Sequence, residues 1–230
     1  MLTKKGLLLD PDKLSEGTVL AVNKPLRWTS FDVVKKLRGA FSVKKIGHAG
    51  TLDPLATGLL LVCTGRKTKS VSYYQGLEKV YTGEMVLGKT TPSVDLETAF
   101  DCVTSYDHVT EEEIQKLVPA FVGCINQVPP AYSAVKIQGE RAYKKARQGQ
   151  AAKLAPRQVF IHSFVVTAID IPRIQFEVTC SKGTYIRSLV RDFGQQLGVG
   201  AYLSALCRIR IGDFRLEDAY DVAALTQNHR

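Results

Sequence analysis

The period of apolar and polar positions changes from block to block along this chain, and each change predicts a different element. Residues 18–23 (TVLAVN) form a short apolar run that reads as a strand leading into Lys24-Pro25. Val33, Val34, Leu37 and Phe41 then keep helical spacing, with Ser30 placed to cap the helix and Gly39 near its end. In residues 43–58 (VKKIGHAGTLDPLATG), glycines, threonines and a proline break any period, which predicts a loop. Leu59–Cys63 reads as a strand or short helix, and Lys79–Gly88 as a strand with Tyr81, Met85 and Leu87 on one face. Thr110 followed by Glu113 is a capping-box pattern that opens a helix limited by Pro119. Residues 159–171 and 174–180 predict two paired strands joined near Pro172. Ile186, Leu189, Val190, Phe193 and Leu197 mark a helix over 184–197 that Gly198 stops. Residues 208–211 alternate as a strand, and 217–225 predict a last short helix. The sum is an α+β protein with a mixed, mainly antiparallel central sheet flanked by helices. One domain over residues 1–230 is expected, with the small, basic and aromatic segment 131–155 protruding from it.

Composition narrows the function. Apolar runs such as Gly58–Cys63 are far shorter than the roughly 18 residues a membrane span needs. The first ten residues are too short and polar for a signal peptide, so a cytoplasmic protein is expected. Cysteines stand at 63, 102, 124, 180 and 207, an odd number without a CxxC pair, and the four histidines are scattered. Neither a disulfide framework nor a metal site is expected. The net charge of +9 suits a polyanion partner. Lys24–Lys45 and Lys136–Arg157 each carry seven basic residues and one acid, a net of +6 apiece. Two solvated faces would also account for them, but their concentration favours nucleic acid.

Asp53 is the only acid between Asp32 and Glu78, a stretch that holds eight basic residues. A positive surrounding favours the ionised carboxylate, ready to serve as nucleophile or base. The residues around it, Thr51-Leu52-Asp53-Pro54, suggest a turn-like loop, and an Asx-turn before Pro54 is the structural alternative.

Gly47-His48-Ala49-Gly50-Thr51-Leu52-Asp53-Pro54-Leu55-Ala56-Thr57-Gly58 resembles the signature loop of the tRNA pseudouridine-55 synthases of the TruB family. Four further segments are similar to that family in the same order: Lys24-Pro25 with Thr29-Ser30, Lys79-Val80-Tyr81, residues 130–136 (PAYSAVK) and residues 181–187 (SKGTYIR). The matches span roughly residues 18 to 215. The resemblance implies the pseudouridine synthase fold and isomerisation of a uridine in the T-loop of tRNA, with no cofactor. It makes Asp53 the catalytic carboxylate, Tyr81 the ring that stacks on the target base, and Arg187 the partner that holds Asp53. It makes His48 the group that enters the RNA where the base has left, and gives Lys24, Leu206 and Tyr185 supporting places around the pocket. Flipping the base costs a few kcal/mol; stacking on an aromatic face returns about 1–3 kcal/mol.

Residues 131–155 resemble the family's inserted thumb, which closes over the T-arm of tRNA. Tyr132, Lys136, Arg141, Tyr143, Lys144, Lys145 and Arg147 mix cations with aromatic rings, as recognition of RNA by shape requires. An exposed amphipathic helix is the plainer reading. Many family members carry a further small RNA-binding domain at the C-terminus. This chain, stopping at Arg230, resembles a short form without it, which argues against the guide-RNA-dependent relatives. A monomer is expected from the same likeness. Covalent attack at the sugar and proton removal from it remain alternative mechanisms. Other functions compatible with the residues are the same chemistry on another RNA stem-loop, an RNA-folding chaperone in which catalysis is secondary, and, least well supported, a two-carboxylate hydrolase.

Overall fold

The computed structural model describes residues 11–133, 135–137, 139–149 and 154–227. It divides into two compact units, one made of the residues up to Tyr81 with those from Leu206 onward, the other of Thr82–Ala205. The first unit begins with helix α1 (Pro11–Glu16), then β1 (Val19–Lys24), α2 (Ser30–Phe41), β2 (Ile46–Ala49) and β3 (Ala56–Thr64). A 3-10 helix (Gly65–Ser70), α3 (Val71–Gly76) and the start of β4 (Lys79–Leu87) follow. The second unit takes the rest of β4, then β5 (Lys89–Thr90), β6 (Cys102–Val103), α4 (Glu111–Leu117), β7 (Gly123–Gln127), β8 (Lys136–Ile137) and β9 (Glu140–Arg141). It continues through α5 (Ala142–Arg147), β10 (Arg157–Asp170), β11 (Arg173–Cys180), α6 (Ile186–Gln196) and the first half of β12 (Ala201–Ile211). The end of β12, β13 (Phe214–Arg215), β14 (Tyr220–Asp221) and α7 (Val222–Gln227) return the chain to the first unit.

In the first unit the strand order is β14-β1-β3-β12, with β2 beside β3 and β13 beside β12. β1 and β3 are antiparallel, whereas β3 and β12 are parallel. The unbroken apolar run of β3 has a simple cause, because both faces of this sheet are covered. Leu60 and Val62 pack with Leu20 and Val22 against Val33, Val34, Leu37 and Phe41 of α2 and Val222 and Leu225 of α7. Their neighbours Leu59, Leu61 and Cys63 face the other way, onto Ile211, Tyr74, Leu77 and Phe214. In the second unit the order is β4-β11-β10-β7, and β10 pairs antiparallel with both β11 and β7. Its core carries a ring cluster in which Phe164 lies 5.7 Å, centroid to centroid, from both Phe176 and Phe193. Phe121 lies 5.3 Å from Phe193. The α+β class and the mixed, mainly antiparallel sheet are as expected.

Three local expectations need correction. Thr29, not Ser30, caps α2, because the reciprocal capping box needs a carboxylate three residues on and Asp32 supplies it. Gly39 lies in the last turn of this helix, as expected, and Ser42 closes it in the left-handed region. Residues 43–58 are not all loop: β2 and the start of β3 lie within them, held by pairing that runs from Ile46–Thr64 to Ala49–Leu61. The last helix is two pieces, a 3-10 turn over Leu216–Asp218 and α7.

Candidate active site

The loop that carries Asp53 links β2 to β3, and the first unit holds it from three sides. Gly50 opens it at φ 93°, a backbone conformation that favours glycine. From the first turn of α2, Ser30 Oγ accepts a hydrogen bond from the Leu52 amide (2.9 Å) and faces its carbonyl (3.3 Å). Thr29 takes the cap, which leaves Ser30 free for this work. From the β1–α2 connection, the Arg27 amide donates to Pro54 O (2.8 Å). Arg27 itself sits at φ 66° to do so. Asp53 O accepts from the Ala56 amide (3.1 Å), closing the turn, while Leu52 is buried and Asp53 half-buried.

Two buried cations complete the frame. Lys24, at the end of β1, is 0% exposed, and its Nζ donates to Trp28 O (2.6 Å), Pro25 O (3.0 Å) and Pro54 O (3.4 Å). Burial lowers its pKa to about 8; Asp53 attracts the charge and opposes the drop, while Arg208 adds to it. Arg208, on β12, is 1% exposed. Its Nε donates to Leu59 O (2.7 Å), Nη2 to Gly50 O (3.2 Å) and Nη1 to Thr51 O (3.5 Å). One rigid guanidinium thus spans both the start of the loop and the strand that leaves it. It also lies 6.0 Å from the centroid of the Tyr81 ring, which is 8% exposed.

Sequence reasoning missed Arg208. Its strand was legible as an alternation, but a cation in an alternating strand is ordinarily a solvent-facing residue. The available signal was its place two residues after Leu206, in the register that brings Arg208 opposite Gly58. Leu206 is buried and pairs with Ala56, and its carbonyl accepts from Thr57 Oγ1 (3.4 Å). His48 sits half-buried on β2, and burial pushes its imidazole pKa down. The Gly50 backbone favours protonation in part, but Nδ1 has no hydrogen bond of good geometry among the described residues. The first unit therefore gathers Lys24, His48, Asp53, Tyr81, Leu206 and Arg208.

Arg187 and Tyr185 belong to the second unit. Tyr185 N-caps α6, exchanges two backbone hydrogen bonds with the Gln127 side chain, and carries Arg157 over its ring at 4.5 Å. Arg187 is 3% exposed. It donates to Ser93 O (2.9 Å) and Tyr132 O (2.8 Å), and its Nε stands 3.7 Å from the buried Asp95 carboxylate. These contacts fasten α6 to the turn that holds Ser93 and Asp95 and to Tyr132 at the start of 131–155, and Asp95 is a partner that the sequence alone did not single out. Within 131–155, α5 carries half-buried Tyr143 and Lys145 and exposed Lys144 and Arg147. Arg147 pairs with Glu97 (2.6 Å) and lies 5.5 Å from the Tyr143 ring. The side chains of Lys136 and Arg141 lie outside the described residues, as do residues 134, 138 and 150–153. Among the described residues no cluster of histidine, cysteine, aspartate or glutamate could hold a metal ion.

Similarity to known proteins makes the class definite. Residues 38–186 match the model of the TruB family pseudouridylate synthase (N terminal domain). A tRNA pseudouridine synthase B of Flavobacterium johnsoniae is 46% identical over 96% of this chain and 99% of its own length. One from Bacteroides fragilis is 47% identical over 92% of this chain and 94% of its own. Among solved structures, a chain of a Cbf5-Nop10-Gar1 complex superposes with a TM-score of 0.72 at 28% identity over 96% of this chain. This chain spans 58% of that longer one. The chain belongs to the TruB family of pseudouridylate synthases.

Proposed function

We propose that this protein converts the uridine at position 55, in the T-loop of tRNA, into pseudouridine, with Asp53 as the catalytic carboxylate. The observation that carries the reading is the framing of the Asp53 loop by Lys24, Ser30 and Arg208, which holds one half-buried carboxylate on a fixed loop. The names of the relatives support tRNA as the substrate.

The reaction is an isomerisation. The bond from ribose C1′ to N1 of uracil breaks, the freed base turns, and C1′ bonds to C5. The proton on C5 leaves and N1 gains one, so no atoms or electrons are exchanged with a cofactor. Asp53 acts at the sugar, as nucleophile or as base. In either role it needs its charge, which the nearby Lys24 ammonium attracts. Tyr81 stacks on the flipped base, Leu206 and Tyr185 line its pocket, and Arg187 holds Asp53 in line. His48, with a depressed pKa, enters the gap as a largely neutral ring that costs little to desolvate. Residues 131–155 close over the T-arm, with Lys136, Arg141, Tyr143, Lys144 and Lys145 against the RNA. The protein acts as a monomer in the cytoplasm. Among the described residues no helix is long and apolar enough to cross a membrane.

The test is to incubate the protein with unmodified tRNA transcript and map pseudouridine by position. Modification of position 55 is the expected result; modification of a different stem-loop alone would overturn the substrate assignment.

A further inference from the structure

The turn that receives Arg187 also seats the helix of the 131–155 segment. Thr91 and Ser93, both buried, build this turn from within. Thr91 Oγ1 donates to Asp95 O (2.7 Å), and Ser93 Oγ lies 2.9 Å from Thr98 Oγ1, which also accepts from the Ser93 amide (3.1 Å). Val94 sits at φ 63°, a conformation that a β-branched residue adopts only when its surroundings impose it. Here the Val94 amide donates to Thr91 O (3.0 Å), and the Leu203 amide of β12 donates to Val94 O (2.9 Å). A turn fixed on both sides is a rigid reference for whatever docks on it.

Arg187 docks on it through Ser93 O (2.9 Å) and stands 3.7 Å from the Asp95 carboxylate. The Glu97 amide donates to that same carboxylate (2.9 Å), and the Glu97 side chain reaches out to Arg147 of α5 (2.6 Å). α5 is tied to the root of its segment as well, because the Tyr143 amide donates to Ser133 O (3.0 Å). One residue earlier, Tyr132 O accepts from Arg187 (2.8 Å). The contacts therefore close a ring, from Arg187 through the root of the segment to α5 and back through Glu97 and Asp95. Ser133 is 4% exposed, and its Oγ has no hydrogen-bond partner among the described residues. A buried hydroxyl left unpaired favours release of the root to water. The seat is thus finely balanced, and in that condition even a partly exposed ion pair, worth about two- to fivefold in an equilibrium constant, decides how fully it is occupied.

We propose that Glu97 is a positioning residue: by seating α5 through Arg147 it keeps Tyr132 O on Arg187, so that the arginine assigned to Asp53 is in place only when the 131–155 segment is seated. The pair makes no contact with RNA; it converts the position of that segment into the orientation of Arg187. The proposal rests on the RNA-modifying reading above.

The test measures the single-turnover rate at saturating tRNA transcript, the Kd for tRNA, and amide hydrogen exchange over Ala142–Arg147, with thermal midpoints to verify each fold. Glu97→Gln is expected to lower the rate about two- to fivefold with Kd within about twofold of native, and to quicken exchange in α5 by a similar factor. Glu112→Gln, which removes the same charge from the exposed face of α4, should change none of the three. Arg147→Gln should lower the rate as Glu97→Gln does, and the two combined should be no slower than either alone, because both act through one pair. The exchanged pair, Glu97→Arg/Arg147→Glu, keeps the net charge and should return the rate to within about twofold of native, a recovery that loss of local packing would not give. An unchanged rate in Glu97→Gln, additive losses in the combined variant, or an exchanged pair that stays slow while folded would each overturn the positioning role and leave the enzymatic reading standing. A native protein that makes no pseudouridine would overturn the enzymatic reading, and the positioning role with it.

Discussion

Arg208→Met removes a side chain that ties the exit of β2, the Asp53 loop and β3 together. Two of its hydrogen bonds are of good length, 2.7 Å to Leu59 O and 3.2 Å to Gly50 O, and the third, 3.5 Å to Thr51 O, is marginal. A hydrogen bond from a charged donor contributes about 1.5–3 kcal/mol, and leaving a buried acceptor unpaired costs about 1–3 kcal/mol. Relief from burying a guanidinium offsets part of that sum. The net expectation is a destabilisation of roughly 2–4 kcal/mol, read as a lower urea midpoint with an unchanged m-value. The effect on rate should be larger than stability alone suggests. The carbonyls released belong to Gly50 and Thr51, three and two residues from Asp53, and a displacement of ~1 Å at a reacting group costs about a hundredfold in rate. Single-turnover kinetics should therefore show kcat reduced about a hundredfold with little change in KM. Arg208→Lys keeps the charge but loses the fork, and should fall between native and Met. Removing the guanidinium also removes a charge that depresses Lys24, so the Lys24 pKa should rise above about 8. A folded Arg208→Met protein with kcat within twofold of native would refute this reading of the loop's support.

Three further perturbations test other parts of the structure. The Lys24 pKa is about 8 when folded and 10.5 for the ordinary side chain, so between those values the unfolded chain holds a proton that the folded one has lost. Stability should therefore rise with pH across that window, by up to about 3 kcal/mol relative to Lys24→Met, in paired urea titrations at pH 7.5 and pH 10; a constant difference between the two proteins would show that the lysine is not depressed. At Gly58, φ is 100° and a Cβ would stand 2.4 Å from Arg208 O, so Gly58→Ala should destabilise by at least about 3 kcal/mol, visible as a lower thermal midpoint. Lys144→Glu/Lys145→Glu should raise the dissociation constant for tRNA without moving the thermal midpoint, and unchanged binding at physiological salt would remove α5 from the RNA surface.

Local elements were legible where one interaction fixes them. The capping box at Thr110 and the antiparallel pair closing near Pro172 are decided within a few residues, and both form as the pattern implies. The twelve residues around Asp53 were legible for a different reason, since their composition serves chemistry rather than packing. What could not be read depends on partners distant in the chain. β2 exists because β3 offers it a ladder, and its glycine and histidine carry no strand signal of their own. Thr29 and Ser30 are adjacent hydroxyls of similar capping ability; Asp32 favours Thr29 locally, but that Ser30 serves the loop depends on Leu52, 22 residues away. Arg208 reads as a surface cation until Gly50, Thr51 and Leu59 turn their carbonyls toward it. The first unit is assembled from both ends of the chain, a pairing that no local pattern announces.

The central claim, that Asp53 carries out uridine isomerisation in tRNA, is tested most directly by release of tritium from C5-labelled uridine in a T-arm stem-loop. Native protein and Asp53→Asn are compared, with matching urea midpoints to verify the fold. The account predicts stoichiometric release by the native protein and none by Asp53→Asn. Release by both proteins would place the chemistry on another residue, and release by neither, with full-length tRNA also tried, would contradict the enzymatic reading.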